Sequence, residues 1–136
     1  MNRLITLILI LLQSCLSPVI ECADEQSALT GLNIASDTFP EIAHLLDKAH
    51  VICASLEDGA RSCGFSKTPT KLEGCTPFSG NNPYSIQRGR IVVIEGSDIC
   101  RVIIHESVHW TDMSMTHTDE AWPIELEMTA KSRCEE

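Results

Sequence analysis

The sequence predicts an α+β domain stapled by disulfides, and three observations carry that prediction. A β-branched run, Arg90-Ile91-Val92-Val93-Ile94-Glu95, lies between Gly89 and Gly96 and reads as a strand. Apolar residues recur at helical spacing on both sides of it. Six of the seven cysteines remain once Cys15 is set aside with the N-terminal segment, an even set in a small chain. At 136 residues the chain is long enough for one domain with a single modest core.

The N-terminus runs Met1-Asn2-Arg3 and then an almost unbroken apolar stretch over residues 4–12. That stretch is too short to span a bilayer as a mature helix, but behind one positive charge it fits the core of an export signal. Residues 1–22 are therefore expected to be the signal and residues 23–136 the domain. Ordinary cleavage between Ser14 and Ala23 gives a secreted or periplasmic protein. The alternative is a lipoprotein anchored through Cys15, because Leu12-Gln13-Ser14-Cys15 resembles a lipoprotein cleavage site. Both place the domain outside the cytoplasm, with no transmembrane helix in the mature chain.

Residues 23–37 are small and polar and read as a leader. Asp37-Thr38-Phe39-Pro40-Glu41 then announces a helix, with a capping residue, a proline suited to the first turn and an early acid. Ile42, Leu45, Leu46, Ala49, Ile52 and Cys53 give it a buried stripe, and Asp58-Gly59 ends it. His44 and His50 lie on this helix without a metal-binding partner at i+4, so surface or capping roles are expected for them. Residues 61–90 are rich in Gly, Pro, Ser, Thr and Asn, with Asn81-Asn82-Pro83 as a turn, and read as loops with short strands.

After the strand at residues 90–95, Ser97 or Asp98 can cap a helix whose apolar positions Ile99, Val102, Ile103 and Val108 carry it through His109. Residues 113–120 form a polar loop, and Pro123 opens a final helix over residues 124–134. Disulfides are the expected use of the cysteines, although spacing does not choose the pairing. Cys63 and Cys75 flank a loop-like stretch that a bond between them would close, and a Cys100–Cys134 bond would clamp the last two helices together. No cysteine pair has the close spacing of a cysteine zinc site.

The formal charge of −9, with no run of Lys or Arg, argues against a nucleic-acid partner. A Gly-x-Ser-x-Gly elbow and a Gly-rich phosphate loop are both absent from the sequence. His105-Glu106-Ser107-Val108-His109 is the segment that carries chemistry. At i and i+4 two imidazoles stand one helical turn apart, roughly 6 Å along the axis, and can converge on one ion with Glu106 beside them as a base. A catalytic zinc usually takes a third protein ligand and keeps one open position. His117, Asp119, Glu125 and Glu127 are the candidates that follow the motif.

These residues resemble the zincins of the gluzincin type, in which the HExxH helix is followed by a helix offering a glutamate. The local likeness is to the compact zincin-like metallopeptidase domain of antirestriction proteins. It is carried by His105-Glu106-Ser107-Val108-His109-Trp110-Thr111 and by Glu125-Leu126-Glu127, within residues 90–134. The resemblance implies a minimal zincin-like fold and zinc-dependent hydrolysis of a peptide or protein substrate, with His105, His109 and a glutamate as ligands and Glu106 as general base. It favours Glu125 over Glu127, because a polar residue, Thr129, follows Glu125 at the supporting position. It further implies that residues 90–95 are an edge strand along which an extended peptide lies. Asp112 or Asp119 is a candidate to orient a histidine. Trp110 and Trp122 flank the polar loop and are expected to pack between the two helices, with a place on the cleft wall as the alternative. The rival functional reading is a metal-binding or disulfide-stabilised exported interaction module without turnover.

Overall fold

The computed structural model describes residues 17–78, 86–112, 117 and 122–136. Strand β1 (Val19–Glu21) leads into helix α1 (Glu25–Thr38), a 3-10 turn (Pro40–Ile42), the short helix α2 (Ala43–Leu46) and strand β2 (His50–Ala54). Helix α3 (Leu56–Cys63), strand β3 (Gly74–Cys75), strand β4 (Arg90–Ile94), helix α4 (Ile99–Asp112) and helix α5 (Ile124–Ser132) follow, and a 3-10 turn (Arg133–Glu135) ends the chain. The α+β class stands. Residues 1–16 of the expected export signal, Cys15 among them, and the turn expected at Asn81-Asn82-Pro83 lie outside the described residues. Among the described residues no helix is long and apolar enough to cross a membrane.

The sheet has the order β1-β2-β4-β3. β1 runs parallel to β2, with Val19 opposite His50, and β2 parallel to β4, with His50 opposite Arg90. Among the described strands only β3 is antiparallel to its neighbour, with Gly74 opposite Val93. After the exposed Arg90, strand β4 is apolar because it is covered on both faces, as buried parallel strands are. Successive side chains alternate between the faces: Ile91 and Val93 join the main core with α1 and α4, whereas Val92 and Ile94 join Cys63 and Cys75 in a second cluster.

Three expectations about the N-terminal half are overturned. Residues 25–38 form a helix and not a leader: Asp24 accepts the Ser27 amide at 3.0 Å as an N-cap, and Ala28, Gly31, Leu32 and Ala35 make a buried stripe. The single helix expected after Asp37 is instead a 3-10 turn, one short helix and a strand, since residues 50–54 pair with both β1 and β4. Before residue 23, Val19–Glu21 is a strand and Cys22 is bonded to Cys53. Asp58 and Gly59 lie inside α3, which Ser55 caps and Gly64 ends in the left-handed conformation.

His44 is exposed, and His50 meets Glu21 at 2.6 Å across the β1–β2 pair. Cys63–Cys75 and Cys100–Cys134, two pairings that the sequence left open, are bonded, and with Cys22–Cys53 they make three disulfides, a pattern that suggests an oxidising compartment. Two close approaches fix α4. At Gly31 an added Cβ would lie 3.0 Å from the Cys100 carbonyl oxygen, so α1 and α4 pack backbone to backbone. At Gly74 it would lie 2.3 Å from Val102 Cγ1, so β3 runs hard against the same helix.

Candidate metal centre

Helix α4 starts where Asp98 Oδ1 accepts the Arg101 amide at 3.0 Å. Its buried stripe includes Ile103, Ile104 and Val108, and its other face, with Val102, His105, Glu106 and His109, lines a cleft of about 740 Å³. Segment Lys71 to Cys75 forms another wall of that cleft, and Lys131 of α5 a third.

Three imidazoles converge there. One nitrogen from each of His105, His109 and His117 lies within 4.8 Å of the others. His105 Nε2 is 3.0 Å from His117 Nε2. Two imidazole nitrogens on one tetrahedral ion, each at 2.0–2.1 Å, would be about 3.3 Å apart, so a small adjustment fits the pair to a shared metal. The His105 and His109 rings stand edge to face at 5.1 Å, and Trp122 packs against all three imidazoles with centroids 4.9–5.4 Å away. Imidazole donors suit a borderline divalent ion.

Glu106 is buried at the floor of the cleft. Its Oε2 has no hydrogen-bond partner and lies 4.0 Å from His109 Nε2, while the backbone amide of Thr76 bonds to its carboxylate. Burial pushes its pKa up to about 7, with His105 and the Thr76 amide pulling the other way. Thr76, fully buried just beyond β3, also accepts the Trp110 indole N–H at 2.7 Å on Oγ1. One residue of the edge strand's continuation therefore anchors both Glu106 and Trp110. Nothing in the local sequence marks Thr76 for this, because its partners are more than twenty-five residues away along the chain.

The two glutamates of α5 part company. Glu125, the preferred third ligand on sequence grounds, is exposed beside Trp122, Leu126 and Thr129, and it is not brought to the histidines. Glu127 is buried beside His105, with Oε1 2.6 Å from His105 Nδ1 and 2.7 Å from Lys131 Nζ, and Oε2 accepting Trp122 Nε1–H at 2.8 Å. Burial raises the pKa of this carboxyl, but the hydrogen bonds from His105, Lys131 and Trp122 outweigh it and hold the group at about 2. His117 takes the third place in the cluster. The Asp112 side chain and Asp119 lie outside the described residues. Trp110 is core, as expected, and Trp122, half-buried against that core, packs between the two helices on the imidazoles.

The expected edge strand is also corrected. Strand β4 is interior, flanked by β2 and β3, and the edge that borders the cleft is β3 with the residues before it. Compared with protein-family models, with curated proteins and with solved structures, the chain matches none.

Proposed function

We propose that the chain is an exported zinc-dependent peptidase in which His105, His109 and His117 hold the metal and Glu106 is the general base. The observation that carries this reading is the convergence of three imidazoles on a cleft whose floor is a buried glutamate with one unpartnered oxygen. A bound zinc ion supplies Lewis-acid chemistry, polarising a carbonyl and acidifying water. The protein's part is to hold and move a proton. Glu106 Oε2 is free to accept one from water and to return it to a leaving amine. Edge strand β3 with residues 71–73 offers backbone groups beside the cleft, where an extended peptide could add as a further strand. Three disulfides agree with an exported protein.

The test pairs metal analysis with hydrolysis of a quenched-fluorescence peptide library. The parent should carry about one zinc per chain and cleave. Glu106→Gln should keep the zinc and lose about 100- to 10,000-fold in rate. Undiminished cleavage by Glu106→Gln would sink the proposed mechanism. Zinc without cleavage in the parent would make the chain a metal-binding module.

A further inference from the structure

We propose that Glu127 is a positioning residue that locks His105 in the Nδ1–H tautomer, leaving Nε2 free as a metal ligand, and that Trp122 and Lys131 hold Glu127 in place for that purpose. The inference rests on reading the three histidines as a metal site.

The side chain of Glu127 is only 7% exposed, and burying a carboxylate is costly unless its lone pairs are met. Here each oxygen is met by a nitrogen donor: His105 Nδ1 and Lys131 Nζ on Oε1, Trp122 Nε1 on Oε2. A simple i,i+4 ion pair with Lys131 would leave both groups in solvent and would need neither the tryptophan nor the histidine. An ionised carboxylate only accepts hydrogen bonds, so His105 Nδ1 must carry the proton. Its Nε2 then presents a lone pair in the direction of His117 Nε2. The opposite tautomer would place a hydrogen where a ligand lone pair is needed.

Trp122 joins the two halves of this arrangement. Its indole N–H fixes Glu127, and its ring packs on His105, His109 and His117. The Cys100–Cys134 bond and the Arg101–Glu135 ion pair keep α5 against α4, so the carboxylate on one helix stays aligned with the imidazole on the other. Partners of this kind behind a metal-bound histidine are typically worth about 10- to 100-fold in metal affinity.

The experiment uses the full oxidised protein with three disulfides verified. In the metal-free form, ¹⁵N NMR of the imidazoles should show His105 protonated on Nδ1 and bare on Nε2. Glu127→Gln should shift His105 toward a mixture of tautomers and weaken Zn²⁺ binding about 10- to 100-fold in competition with a chromophoric chelator. If that variant does not fold, Lys131→Met and Trp122→Phe carry the test, each with a smaller shift in the same direction. Unchanged tautomer and affinity in the folded variants would overturn the positioning role while leaving the metal site intact. A Zn²⁺ affinity that falls equally in Glu125→Gln would overturn it too, by returning the ligand to the other face of α5. A parent that binds no Zn²⁺ at all would instead remove the metal site and the inference with it.

Discussion

Helices α4 and α5 face each other across the candidate metal centre and are held in place by opposite means. Helix α4 is a core element: Ile103, Ile104, Val108 and Trp110 are completely buried, and its histidines and glutamate are aimed by that packing. Helix α5 is buried only at Glu127 and Ala130, and it exposes Ile124, Leu126 and Met128. Its attachments are a disulfide, the Glu127 contacts and ion pairs from Arg101 to Glu135 and from Arg133 to Asp37. Apolar packing positions one wall of the site, and polar and covalent links position the other. The α4 wall should therefore fail only with the whole fold, and the α5 wall should fail by itself.

Ile103→Ala should show the largest effect, about 2–5 kcal/mol lost in chemical denaturation, because the side chain is fully buried between α4 and α1. A loss under about 1 kcal/mol would mean that α4 is not the core element its burial suggests. Cys100→Ser with Cys134→Ser should cost about 2–4 kcal/mol, with hydrogen-exchange protection collapsing first in α5 and surviving in α4. Uniform loss of protection across both helices would break the contrast between them.

Acid should act on the α5 wall next. Glu127 titrates at about 2 in the fold against an ordinary value of 4.5, so its stabilising contribution is full above pH 4.5 and is lost as pH falls toward 2. Stability of the metal-free protein measured between pH 5 and 2 should decline with a slope that Glu127→Gln flattens. An unaltered slope would assign the acid sensitivity elsewhere. The smallest effect belongs to Met128→Ala, which should move the melting transition by less than about 0.5 kcal/mol, since the side chain is 67% exposed. A larger change would reveal that the outer face of α5 is covered.

The readability of these regions from sequence follows the range of the interactions that form them. Residues 99–109 were legible because capping by Asp98 and the apolar period are local, and that same period puts His105 and His109 on one face. Strand β4 was legible because a β-branched run between two glycines has few other readings. Residues 25–38 carried a readable signal too, an Asp24 cap followed by small apolar residues at i, i+3, i+4 and i+7, but Ala and Gly mark a helix face faintly beside Leu and Ile. Residues 50–54 were not legible as a strand: Ile52 and Cys53 continue a helical period by chance, and only pairing with β1 and β4 makes the segment extended. For the same reason β4 could be read as a strand but not as an interior one.

By itself the sequence determined the α+β class, the strand at residues 90–94, the helix that presents His105, Glu106 and His109, and a framework of paired cysteines. These depend on cap chemistry, on a repeat of 3.6 or 2 residues and on cysteine parity, all of which are properties of neighbours along the chain. Tertiary structure decided that His117 joins the cluster, that Glu127 and not Glu125 meets His105, and that Thr76 holds Glu106 and Trp110. The choice between the two glutamates is a matter of how far α5 is rotated about its axis. That rotation is set by Ala130, Cys134 and Trp122 packing against groups distant in sequence, which no local pattern encodes.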